Sequence, residues 1–134
     1  MRTRTASILL GVSAAIYAIT RGIAYLPSNR PDKLPGALDV LTEATGLTFW
    51  AVLWLAAALA SLAGVALRRP VLTLGVAAMA AAWSLAYLIW WARSLLMAEP
   101  SREWLNAGSY AFPAVLVVIV VLLLARLRYY ERQV

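Results

Sequence analysis

"LIWWARSLLM", Leu88 to Met97, sets two tryptophans and an arginine inside one of the most apolar stretches of a very apolar chain. If Arg93 were held within a membrane it would mark chemistry; if it stood where the membrane ends it would mark a boundary. The length of the run decides. Val71 follows the turn Arg68-Arg69-Pro70 directly, and Val71 to Ala92 is 22 residues. At about 1.5 Å per residue that is roughly 33 Å, enough to cross a hydrocarbon core. Arg93 is therefore expected at the outer interface, beside Trp90 and Trp91, where an aromatic belt belongs.

The rest of the chain reads the same way. It is 63% hydrophobic and 13% charged, whereas a soluble domain carries about a quarter of its residues charged. The apolar residues cluster into runs of span length, at about 6–26, 47–67, 71–92 and 107–125. Outer loops 27–46 and 93–106, an inner turn 68–70 and a tail 126–134 separate and follow them. The expected fold is a single domain over 1–134: an all-α integral membrane protein, with four transmembrane helices in an up-down bundle. The first run follows Arg2 and Arg4 as a signal peptide would, but continues to Tyr25 without a small-x-small cleavage site, so it reads as an uncleaved span.

Charge sets the orientation. Arg2, Arg4, Arg68, Arg69, Arg126, Arg128 and Arg132 share one side with the single acid Glu131. Arg30, Lys33 and Arg102 share the other with Asp32, Asp39, Glu43, Glu99 and Glu103. The positive-inside rule then predicts cytoplasmic N- and C-termini in a multi-pass protein of a bacterial inner membrane.

Arg21 lies a little deeper than Arg93, and its stem is long enough to snorkel outward. The alternative is that Arg21 and Arg93 form a basic pair that holds an acid of the outer loop or a lipid headgroup. In that loop Leu34, Leu38 and Leu41 share one helical face of the segment Pro35 to Gly46, with Asp39 and Glu43 off it. The pattern predicts a short amphipathic helix on the outer surface.

Spans two and three each carry a 4,3,4,3,4 seam: Trp50, Trp54, Ala57, Ser61, Gly64, Arg68 and Thr73, Ala77, Ala80, Ser84, Tyr87, Trp91. Such seams suit antiparallel, left-handed pairs, and the short turn between them predicts a hairpin. It should be close at the inner end, where Ala57, Ser61, Gly64, Ala77, Ala80 and Ser84 are small, and wider and aromatic at the outer end. Ordinary packing is the expected role of these residues; a ligand pocket between Trp54, Tyr87 and Trp91 is the alternative. Span one has a weakly polar face (Ser13, Tyr17, Thr20, Arg21) and a small row, Ala14, Ala18 and Gly22. Span four is aliphatic all round and should face lipid or further copies. Pro113 either kinks it or marks its start, and Ser101 or Asn106 is the candidate N-cap.

Much chemistry is missing. There is no cysteine and no histidine, hence no disulfide, thiolate or imidazole site. No acid falls within a span, which argues against proton-coupled transport and against small multidrug exporters, four-span proteins that rely on such a carboxylate. No phosphate loop, paired carboxylate or nucleophile motif is present. The basic residues sit at span ends rather than in a stripe, so nucleic acid is not an expected partner. The chain is not expected to be an enzyme or to bind a metal or cofactor.

The basic N-terminus, the four spans, "LPGALDVL", "FWAVLWLAAAL" and "SREWLNAGSY" together resemble small four-span membrane proteins of actinobacterial phages, the holin-like type. That resemblance implies a protein that lives among membrane lipid, assembles with copies of itself and permeabilises the inner membrane during phage lysis. It carries over no catalytic residue. The alternative is a non-pore scaffold, anchor or subunit bound to a second membrane protein; a small-solute transporter or channel ranks behind both. The orientation is testable because the chain lacks cysteine: Arg69→Cys should react with a membrane-impermeant thiol reagent only after the cells are opened, and labelling of intact cells would reverse it.

Overall fold

The computed structural model describes residues 2–29, 36–43, 45–99 and 101–134. Four long helices carry the chain: α1 (Arg2–Ala24), α3 (Leu47–Ala66), α4 (Leu74–Leu96) and α5 (Glu103–Gln133), with the one-turn α2 (Asp39–Thr42) between the first two. Each long helix contains a stretch apolar and long enough to cross a bilayer, and no strand occurs among the described residues. The protein is an all-α, multi-pass helical bundle. One end, called here the termini end, holds the start of α1, the α3–α4 turn and the finish of α5; the opposite end holds the longer loops.

α4 and α5 run past the predicted ends of their spans. α1 starts four residues early and stops two early, and α3 matches its span to within one residue. Pro113 neither starts nor ends α5, which begins ten residues earlier and runs for 31 residues, or roughly 46 Å. That exceeds a hydrocarbon core of about 30 Å, so the basic tail is helical too. Ser101, one of the two proposed caps, accepts the Glu103 backbone N–H at 3.2 Å. Asn106 lies inside the helix and donates to Glu103 Oε2 instead. Helix continues past Pro113 because Ala107 and Tyr110 are buried, and bundle packing of this kind offsets a missing backbone bond.

The expected hairpin of spans two and three forms, close at its turn, but it is not the tightest pairing. The most intimate pairs are α1 with α3 and α4 with α5; α3 meets α4 mainly at the 3₁₀ turn Pro70–Thr73. Size explains the choice. A Cβ at Gly22 would come within 2.7 Å of the Leu55 side chain and 3.1 Å of the Ala51 carbonyl, and one at Gly11 would run into Val65. Ala15 and Ala18, between them on α1, are also buried. This row lets α1 lie against α3 backbone to backbone, the close approach that stabilises helix pairs in lipid. On α4, Ser84 and Ala77 turn to α5: Ser84 Oγ donates to the Ala107 carbonyl at 2.8 Å, and Ala77 packs with Val117 and Val121. The four helices thus form a ring in the order α1, α3, α4, α5.

α3 and α4 end alike. After α3 the Arg69 N–H reaches the Gly64 carbonyl and Arg68 N–H the Val65 carbonyl; after α4 Glu99 N–H reaches Ser94 and Ala98 N–H reaches Leu95. These are Schellman caps, and their left-handed position is normally glycine. Here it is Arg68 (φ 56°) and Ala98 (φ 54°), at about 1–2 kcal/mol each. Ala98→Gly should therefore raise stability in detergent by about 0.5–1 kcal/mol. Gly64→Ala should lower it by about 1–3 kcal/mol, because its Cβ would stand 2.7 Å from the Arg69 carbonyl. Thermal unfolding of the two variants tests both signs.

Candidate functional site

The loop end of the bundle is filled with rings. Trp83 is fully buried and sits at the hub, with its ring centre 5.5 Å from Trp54, 5.6 Å from Trp50 and 5.5 Å from Tyr25. Its indole N–H donates to the Tyr25 hydroxyl at 3.4 Å, and that hydroxyl also meets the Tyr110 hydroxyl at 3.4 Å. Tyr110 in turn stacks on Tyr87 of α4 at 5.6 Å. One chain of aromatic contacts therefore runs through α1, α3, α4 and α5. The wide aromatic outer half expected from the two seams exists, but its centre is Trp83, one residue off the predicted row. A second row at helical spacing, Val76, Ala80, Trp83 and Tyr87, was the missed signal. A tryptophan nine residues into α4, well away from the interfacial belt, was another.

The alternative, a ligand pocket between Trp54, Tyr87 and Trp91, is not formed, and ordinary packing holds there. Trp83 packs on Trp54, Tyr87 turns to α5, and Trp91 is half-buried at the far end of α4. Trp54, Ala57, Ser61, Gly64, Ala77, Ala80 and Ser84 are all buried within the single chain. Ser61 Oγ donates to the Gly11 carbonyl at 2.7 Å, pairing α3 with α1.

The short outer segment caps this cluster. The 3₁₀ turn Gly36–Leu38 and α2 bring Ala37 and Leu38 to full burial, and Gly36 lies against the Trp90 ring. Trp50 Nε1 donates to the Leu41 carbonyl at 2.6 Å. The segment is therefore a plug docked into the bundle, shorter than the predicted surface helix; Leu34 lies outside the described residues. Asp39 and Glu43 are exposed, and among the described residues neither is bonded to Arg21 or Arg93. Among the described residues the proposed carboxylate clamp is not formed; Asp32 lies outside them. Arg93 is exposed with its guanidinium 5.7 Å from the Trp90 ring. Arg21 is half-buried, with its guanidinium 4.7 Å from the Tyr110 ring and 5.4 Å from the Tyr17 ring. Cation–π contact of this kind is strongest where water is scarce.

The α1–α5 side of the ring is unlike the others. At the termini end Thr3 donates to Glu131 at 3.1 Å and Arg128 donates to Ser7 at 3.2 Å. At the loop end Arg21 and Tyr25 meet Tyr110. Between these polar clasps the two helices part around an apolar cleft of about 480 Å³. Leu10, Ala14 and Tyr17 form one wall, Pro113 and Val117 the other, with Val76 and Ala80 of α4 behind. Beside it, the Trp54 indole N–H is buried with no hydrogen-bond partner among the described residues, a cost of about 1–3 kcal/mol.

No cluster of potential metal ligands occurs among the described residues. Comparison with protein-family models, curated proteins and solved structures gave no match. The hub position makes a sharp expectation: Trp83→Ala should cost about 3–5 kcal/mol, whereas half-exposed Trp91→Ala should cost under about 1 kcal/mol. Thermal unfolding in detergent compares them, and equal losses would remove Trp83 from the centre.

Proposed function

We propose that the protein is a holin-like permeabiliser of a bacterial inner membrane, with both termini cytoplasmic. The observation that carries this reading is the gapped seam between α1 and α5. Two tight helix pairs meet there through polar clasps at the ends and an apolar cleft between. A bundle built this way is weakest along one side. Copies inserted closed would accumulate, and separation of α1 from α5 would release apolar faces that pair with those of neighbouring copies. The unpaired Trp54 indole N–H beside the cleft favours such opening, since a rearranged bundle can give it a polar partner. The sequence resemblance to holin-like phage proteins supports the same reading.

A specific observation favours a second reading, a non-pore subunit that binds another membrane protein. Ser61 and Ser84 already donate to carbonyls within the chain. Small polar residues that would line a hole are thus engaged in the closed bundle. The two readings part in one experiment. Induced expression should bring a delayed, abrupt loss of membrane potential, read with a potential-sensitive dye. Glu131→Ala, which removes the Thr3 clasp at an exposed position, should shorten the delay. Normal potential in cells with abundant inserted protein, together with co-purification of a specific second protein, would establish the subunit reading instead.

A further inference from the structure

The termini end carries a second cleft, of about 1240 Å³. Five arginines line it, from three parts of the chain: Arg4 on α1, Arg68 and Arg69 in the α3–α4 turn, and Arg128 and Arg132 on α5. Much of the remaining wall is aliphatic. Among the described residues the one acidic side chain at this end is Glu131, which accepts the Thr3 hydroxyl and does not line the cleft. The cations therefore face one another without compensation.

Two details show a built arrangement rather than a general surplus of charge at span ends. Arg128 is half-buried and fixed: one guanidinium nitrogen donates to the Arg68 carbonyl at 2.7 Å, the other to Ser7 Oγ at 3.2 Å. These bonds use part of its fork and leave further donors for a bound anion. Arg68 occupies the left-handed capping position that glycine would fill without strain. A charged side chain is kept there although the backbone would be better served by none.

We propose that this cleft binds the phosphate headgroup of an anionic phospholipid, with the aliphatic wall taking the start of its acyl chains. Guanidinium groups suit phosphate because their planar forks donate in pairs. A headgroup fits better than a soluble anion because the cleft joins cationic and aliphatic walls at the end of a membrane bundle, where a lipid's two chemistries also meet. The inference does not depend on permeabilisation and stands or falls separately.

The test uses the full-length protein in neutral detergent, titrated with phosphatidylglycerol or phosphatidylcholine and followed by thermal unfolding and by native mass spectrometry of retained lipid. Phosphatidylglycerol should be retained and should stabilise the wild type, while phosphatidylcholine should not. Arg128→Gln and Arg68→Gly should each weaken phosphatidylglycerol binding by about tenfold, the effect of losing one charge-assisted hydrogen bond. Arg68→Gly is the more secure variant, since it also relieves the cap. Arg126→Gln, on the same helix but outside the cleft with its guanidinium near the Tyr130 ring, should change binding less than twofold, although it removes the same charge. Equal weakening by all three variants would reduce the effect to surface charge. Equal stabilisation by inorganic phosphate would identify a soluble-anion site, and absence of any preference for phosphatidylglycerol would overturn the proposal outright.

Discussion

The size of side chains where helices touch governs this protein. In lipid no hydrophobic force drives one helix against another, so association depends on packing and on the few polar bonds that close approach permits. Gly11, Ala18 and Gly22 let α1 reach the backbone of α3, and the same proximity brings Ser61 within reach of the Gly11 carbonyl. Ser84 does the same between α4 and α5 at Ala107. Each hydroxyl is both a small residue that allows contact and a donor that fixes it. Where the chain instead supplies tryptophan and tyrosine, the helices stand apart and rings fill the interval.

Those two regimes lie at different heights in the bundle. Near the termini end the α3–α4 connection is tight: the Schellman cap folds Arg69 back over Gly64, and Pro70 starts the next turn immediately. Toward the loop end the same two helices diverge around Trp50, Trp54 and Trp83. α4 is the most enclosed helix, with half of its most apolar stretch buried against a third or less in the others. Its Trp83 packs on rings of α3, while Tyr87, one turn along the same face, stacks on Tyr110 of α5. The plug formed by Ala37 and Leu38 completes the aromatic end, so this stretch of the first loop is part of the core.

This division shows what was legible in the sequence. Span number follows from run length, and the taper from small to aromatic residues follows from counting along each seam; both are local properties. Partner choice is not local. A 4,3,4,3,4 row of small residues on α4 fits any antiparallel neighbour, and the short Arg68–Pro70 turn made α3 the natural candidate. α5 took that row because Ala107, Ala114 and Val117 offer it a buried face, while α3 was already matched to the glycines of α1. Arg21 has non-local surroundings too. Its depth along α1 was clear from the sequence, but the Tyr110 ring it lies over comes from a helix that begins about eighty residues later. The segment 36–42 carried the right amphipathic pattern, yet a buried face matches a bundle core as well as a bilayer surface, and pattern alone does not separate them.

The seam between α1 and α5 follows from the same rule taken to its limit. These helices are the first and last in the ring, so no short turn ties them, and their facing residues are unmatched in size. Leu10 and Tyr17 oppose Pro113 and Val117 across the cleft, with neither a small row to bring backbones together nor a large ring to span the gap. The chain closes this side only where polar groups are available, at Thr3 and Arg128 near one end and at Tyr110 near the other. Acyl chains are the one filler a bilayer offers for the middle. The side of the bundle least determined by protein packing is thus the side most open to lipid.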